Sequence, residues 1–429
     1  MANEWQVPGD FPTINSALAS PLVMDYDTIR VAPGLYTNAT EGGPIIVTKI
    51  VQLLGAQANV DARTRPGTNE SIIEIVDPNG SVLINQNNVV FNGFTVRNNT
   101  TGFGIVTSSL FSGYWIFNNI VENNEGGLYF NSDSTSPDIT FSQAIQNFFR
   151  ANNQPGGAGG NGIYSDIGAV NILIDSNQLT GHQPAASINF ASVANTQENI
   201  VISNNLMVTD NSIALINTTN VKIRDNRMID TQGSSIFIAG GNNLIEIEGN
   251  HLQNSVSNGI YVNTIFLAVS NTNIRAKNNT IQGNDSAGLR VDAGAYDDTP
   301  PNRRLDATNN FWGSKTGPTN PANPGGTGDA VIDDNVPSVV EFIPFLTTNL
   351  IGPTCEELLA MCQAELNNTL IQFIQCQQLL ETTQAQLLDS QRVIVENQIN
   401  AYVQLINAAN LINTAQAQVL ECQAALASV

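Results

Sequence analysis

Basic residues are scarce in this chain. Only 16 of its 429 residues are Lys or Arg against 37 Asp or Glu, a formal net charge of −21, and the lysines are limited to Lys49, Lys222, Lys277 and Lys315. No basic patch can be assembled from so few, which excludes nucleic acid and anionic membrane surfaces as main partners. Charge of either sign is short too, at 12% of residues, about half the usual share. Asn, Gln, Ser and Thr carry the polarity instead. No run of about 18 apolar residues occurs, so no helix is long and apolar enough to cross a membrane. His182 and His251 are the only histidines, too few for a His-based metal site or a Ser-His-Asp triad; no metal or other cofactor is expected. Cysteine is absent from the first 354 residues and confined to Cys355, Cys362, Cys376 and Cys422, with no CxxC spacing, so the main body is not a disulfide scaffold. The first residues lack a basic n-region and an apolar h-region. The expected location is the surface of a spore or phage particle, or release by lysis, with the cytoplasm as the alternative.

What is present is repetition. The segments ILIDSNQL, IVISNNLM, VKIRDNRM, IEIEGNHL, IRAKNNTI and LDATNNFW share an apolar residue, two variable residues, Asn, one variable residue and another apolar residue. The Asn positions are Asn119, Asn177, Asn205, Asn226, Asn250, Asn279 and Asn310, and in ITFSQAIQ the slot is read as Ala144. A second, interleaved series reads small, aliphatic, variable, apolar, as in GIVT, GLYF, GIYS and GIYV, beginning at Gly104, Gly127, Gly162, Ser187, Ser212, Ser235, Gly259 and Gly288. Two series sharing one period require at least two short strands per repeat. Short alternating strands punctuated by Asn and Gly predict a solenoid of β-coils. Asn suits the corners because it tolerates a left-handed bend, and stacked side chains can bond from coil to coil as a ladder.

These repeats resemble the right-handed parallel β-helix family, the pectate-lyase-like superfamily. The opening FPTINSALASPLVMDYDTIRVAPGLY, with a capping helix over about 11–19, and the closing NNFWGSKTGPTNPANPGGTGDAV resemble that family's ends. The resemblance covers about residues 1–350. It implies an all-β right-handed parallel solenoid and leaves activity open, since the family mixes lyases, hydrolases and non-catalytic adhesins.

Residues 354–429 change character: they contain no Gly and no Pro. Thr354 with Glu357 reads as a capping box, and Leu359, Leu366, Phe373, Leu380, Leu387 and Ile394 recur every seven residues. This predicts a long helical tail, about 110 Å if unbroken, that buries its stripe by association or by folding back as a hairpin. The mix of large and small layers favours a homotrimer. The cysteines are either buried thiols or disulfide partners.

Within each GIxϕ strand the variable residue points outward. Down the coils that position holds Tyr129, Tyr164, Phe237 and Tyr261, a stripe of aromatic rings on which sugars could stack. A catalytic site would need paired carboxylates, or a base beside acidic calcium ligands. The local candidates are Arg290 with Asp292, then Asp297 and Asp298, with Asp166 and Asp175 a weaker pair. None matches a family catalytic signature. The expected function is a non-catalytic surface or appendage protein, a glycan-binding or adhesive β-helix presented by an oligomerising tail. A polysaccharide lyase or hydrolase is the alternative, for which calcium would be the cofactor, and a self-assembling structural subunit without ligand is the third reading.

Overall fold

The structure, a computed structural model, describes residues 2–133, 135, 140–349, 404–405, 407–414 and 416. The chain divides into two units, Met1–Leu350 and Ile351–Val429. In the first, each repeat becomes a coil whose short strands stack in parallel on their neighbours. Three sheets of 13, 11 and 10 strands result, a parallel β-solenoid of about 11 turns. Each coil holds three strands, one more than the interleaved series required, because the Asn motif spans a corner and contributes a strand on either side of it.

That division sets the core. Before the corner, Ile116, Ala144, Ile174, Ile202, Ile223, Ile247 and Ala276 stand in register in the 13-stranded sheet. After it, Val121, Phe149, Leu179, Met207, Met228, Leu252 and Ile281 do the same in the 10-stranded sheet. All are at most 1% exposed, and each large side chain so buried is worth about 1.5–3 kcal/mol. Where two Gly or Ser strands pass closely, a side chain would not fit: a Cβ on Gly127 would lie 2.3 Å from the Gly162 carbonyl oxygen.

At the corner between these sheets the asparagines form a ladder. From Asn119 through Asn279, each side-chain amide donates to the Oδ1 of the next Asn at 3.0–3.1 Å, and each backbone N–H donates to the same oxygen at 2.9–3.0 Å. The slot read as Ala144 is a correction. Ala144 is the inward apolar residue of its coil, paired with Ile116 and Ile174, and Asn147 is the ladder member between Asn119 and Asn177. A small residue in the apolar slot concealed the register. The reason for Asn also changes. The left-handed bend is made by the residue before each ladder Asn: Asn118, Gln146, Ser176, Asn204, Asp225, Gly249, Asn278 and Asn309 all have φ between 53° and 71°. The ladder Asn is selected for its amide, which serves as donor and acceptor at once.

A second polar ladder runs along the corner leading into the 11-stranded sheet. Asn124 Nδ2 donates to Asn152 Oδ1 at 2.9 Å, Asn152 meets His182 Nε2 at 3.2 Å, and His182 Nδ1 meets Asp210 at 2.9 Å. His182 and Asp210 are at most 1% exposed. This histidine is a ladder member, held between Asn152 on one coil and Asp210 on the next.

The ends differ. The first coil is covered by a helix at Ile14–Ala19, shorter than the 11–19 expected, because Thr13 takes the N-cap position and closes a capping box with Ser16. Phe11 packs edge-on against Trp5 instead. The far end carries a cavity of about 960 Å³, lined by residues including Arg304, Asn320, Asp333, Val340 and Phe342. In the second unit, residues 407–414 are helical. The heptad positions Leu359, Leu366, Phe373, Leu380, Leu387 and Ile394 and the four cysteines lie outside the described residues.

Candidate functional site

The outward positions of the 11-stranded sheet form one column. Strand pairing sets Val106 beside Tyr129, then Tyr164, Asn189, Ala214, Phe237, Tyr261 and Arg290. The column is aromatic in two places separated by Asn189 and Ala214, and the two places differ in geometry.

In the first, the rings cover one another. Tyr129 and Tyr164 stack at 5.6 Å between centroids with planes 15° apart, and Phe103 stacks on Tyr129 at 4.9 Å. Phe103 reaches this position because its strand neighbour is Gly126, whose missing side chain leaves room for the ring: a Cβ there would lie 2.3 Å from Phe103. The Tyr129 hydroxyl donates to one carboxylate oxygen of Asp166 and the Tyr164 hydroxyl donates to the other at 3.0 Å. Burial, reinforced by Asp166, pushes both phenols well above the ordinary tyrosine range. Asp166 therefore works as a clamp on a closed stack. It has no link to Asp175, which accepts from Ser203 at 2.7 Å and Asn204 at 2.8 Å, so the expected pair of Asp166 and Asp175 is not formed.

In the second place the rings meet edge to face. Phe237 lies 5.6 Å from Tyr261 at 63° and 5.9 Å from Phe266 at 74°. An edge-to-face contact leaves the face of one partner uncovered by the other. Phe266 is 62% exposed and belongs to the loop 264–271, which the strand pattern did not single out. Beside these rings stands a polar rim. The Tyr261 hydroxyl donates to Asp292 at 2.6 Å. Arg290 donates from Nε to Asp292 at 2.9 Å and from Nη2 to Asp334 at 2.8 Å. Burial and Asp292 push the Tyr261 phenol up, and the hydrogen bond to Asp292 raises Arg290 further. One guanidinium facing two carboxylates leaves the rim acidic.

Arg290 and Asp292 are thus brought together, with Asp334 as a third member. Asp334 lies 44 residues from Arg290, in a stretch with no repeat signal. Asp297 does not join them. Its carboxylate accepts from Thr299 and Asn302 of its own loop, which holds it below the usual carboxylate range. Asp298, with Asp297, adds to the burial that pushes Tyr296 up to about 12. Among the described residues no three His, Cys, Asp or Glu side chains converge as a metal site. No protein-family model, curated protein or solved structure matches the chain.

Proposed function

We propose that the solenoid is a non-catalytic glycan-binding module of a surface or appendage protein, and that the sugar is held at Phe237, Tyr261 and Phe266 under the rim of Arg290, Asp292 and Asp334. The observation that carries this reading is the difference between the two aromatic clusters: in Phe103–Tyr129–Tyr164 the rings stack on one another, whereas the edge-to-face cluster ends in Phe266, 62% exposed, beside hydrogen-bonding groups. Sugar rings bind where an apolar face meets a polar rim. The rim is acidic and the chain has a net charge of −21, so the favoured ligands are neutral or amino-bearing glycans, and polyuronates are repelled. The three-stranded coils support the resemblance to the right-handed pectate-lyase-like solenoids, and the heptads of the tail support its role as the oligomerising element.

A glycan array and affinity electrophoresis in neutral and uronate gels test the proposal. Retention by neutral or amino-bearing chains, weakened at least tenfold by Phe237→Ala or Tyr261→Ala, is the expected result; that loss corresponds to about 1.4 kcal/mol. No retention by any glycan would sink it. The lyase or hydrolase reading has one specific observation in its favour, the two carboxylates held on Arg290. It requires turnover that disappears in Asp292→Ala.

A further inference from the structure

We infer that the solenoid carries a built-in stop against end-to-end assembly: Asp10 at its first rung, and Asp333 with Arg304 at its last, occupy backbone groups to which a strand of another copy would bond. The outermost strands of a stack of parallel coils present outward N–H and C=O groups, a template for strand addition. The last strand of the 13-stranded sheet is Val340–Glu341. Leu305 and Ala307 of the neighbouring coil donate to the carbonyls of Val339 and Glu341, so the N–H and C=O of Val340 between them point away from the sheet. Both are taken. The N–H donates to Asp333 Oδ2 at 3.1 Å, and the carbonyl accepts from Arg304 Nη2 at 2.9 Å. The 11-stranded sheet ends in the same way on Val331–Asp333. Val331 stands opposite Leu289, which donates to the Ala330 carbonyl, so the backbone groups of Val331 also face outward. Its N–H donates to the Thr319 carbonyl at 3.1 Å, and its carbonyl accepts from Asn320 Nδ2 at 2.7 Å.

Bulk does not close this end. The cavity of about 960 Å³ lies against the last rung, with Asn320, Val331, Asp333 and Val340 among its lining residues. An incoming strand has room beside Val331 and Val340 and finds no free partner on them. The last strand adds to the obstacle: it is two residues long, Pro337 and Pro344 on either side of it have no N–H to offer, and Glu341 on it is exposed. Short length, proline and charge are devices by which sheet edges avoid pairing. The first rung is built alike. Gln6 stands opposite Arg30 with its backbone groups turned outward. Its N–H donates to Asp10 Oδ2 at 2.9 Å, and its carbonyl accepts from the N–H groups of Asp10 and Phe11 at 3.0 and 3.2 Å. Asp10, Arg304 and Asp333 thus do at the ends what the next coil does inside the stack. Association of this chain does not run along the solenoid axis, and a filament of end-stacked copies is excluded as its assembled form.

The test uses the full chain with Arg304→Ala and Asp333→Ala, followed at neutral pH by light scattering and negative-stain electron microscopy. The unmodified chain should remain as discrete particles. The double variant, with an unchanged far-UV spectrum, should grow into filaments and raise the scattering at least about tenfold. Adding Val340→Pro should abolish that growth. Proline removes the outward donor that a new strand needs, and it leaves the pairing with Leu305 intact because that pairing uses the backbone groups of Val339 and Glu341. Asn320→Ala, a loop substitution that frees the Val331 carbonyl on the other sheet, should give slower growth of the same filaments, and it decides the matter if the double variant does not fold. Three results would overturn the inference: filaments from the unmodified chain, folded variants that all stay discrete, or growth that Val340→Pro leaves unchanged, which would assign the aggregates to unfolded chain.

Discussion

Asn226 illustrates why one side chain is demanded at each ladder position. Its Oδ1 accepts from the Asn205 backbone N–H and side-chain amide, and its own amide donates to Asn250 and to the Ile202 carbonyl, all in a fully buried setting. Leu would fill the volume but strand at least two buried donors of Asn205, at about 1–3 kcal/mol each. Asn226→Leu should therefore cost about 3–5 kcal/mol in urea unfolding, and Asn226→Asp, which keeps an acceptor but loses the donor, should also destabilise. Leu244 shows the opposite situation. Within the long strands of the 13-stranded sheet, Asn171, Asn199, Asn220 and Asn273 occupy one register position with φ of 53–57°, and on the coil between the last two that position is Leu244, at φ 57°. A branched side chain in the left-handed region costs about 1–2 kcal/mol, and this one is 51% exposed, so packing recovers little. Leu244→Asn should stabilise the solenoid by about 1 kcal/mol, read as a higher urea midpoint at unchanged slope; a neutral or lower midpoint would show that Leu244 makes a contact worth the strain.

Strands and corners were legible in the sequence wherever their signal repeats at short range. The Asn and Gly-Ile series exposed two strands of each coil because they recur every few tens of residues, and the outward column followed from alternation within a strand. The third strand was hidden because it shares the Asn motif with its predecessor. The site was half legible: Tyr261, Phe237, Arg290 and Asp292 lie on the repeats, whereas Phe266 and Asp334 sit on loops or past the last full repeat, where no periodic neighbour marks them. A strand end and a loop near the two ends of the solenoid also hold carboxylates sensitive to pH. Asp333 accepts from Ser338 and from the backbone N–H groups of Val339, Val340 and Asn335; burial raises its pKa, but these hydrogen bonds outweigh it and hold the carboxyl below 3.8. Asp27 is lowered in the same way by Met24, Trp5 and Asn3. A folded pKa below the unfolded value gives stability that is present above the unfolded pKa and lost as pH falls through the folded one. Urea stability should thus hold down to about pH 5 and drop below about pH 4, with Asp333→Asn flattening part of that drop. At the alkaline end the sign reverses. Tyr129 and Tyr164 have raised folded pKa values, so their contribution is full below about pH 10 and lost above it. Phenolate absorbance should show a class of tyrosines, the buried Tyr114 among them, that ionise only on unfolding, and the Tyr129→Phe, Tyr164→Phe double variant should reduce that class by two.

A solenoid draws its stability from contacts between neighbouring coils, so its length costs little while its lateral surface grows, and the charge on that surface governs what the molecule can touch. With 37 acidic against 16 basic residues, two copies repel over most of their outer faces. Ion pairs such as Arg224–Glu246 at 2.6 Å and Lys277–Asp306 at 3.2 Å lie within one chain on the 13-stranded sheet and are partly exposed, worth little each. Association through tail heptads with few flanking charges has to overcome a long-range repulsion that salt removes. The Debye length falls from about 30 Å at 0.01 M salt to about 8 Å at 0.15 M. Association through the tail therefore predicts an oligomer, expected to be a homotrimer, that tightens with salt, and deletion of residues 354–429 should weaken or abolish it. Sedimentation across that salt range decides the point: a dissociation constant that falls as salt rises fits apolar contact between like-charged copies, and one that rises would mean that the copies are held by ion pairs, contrary to this reading of the tail.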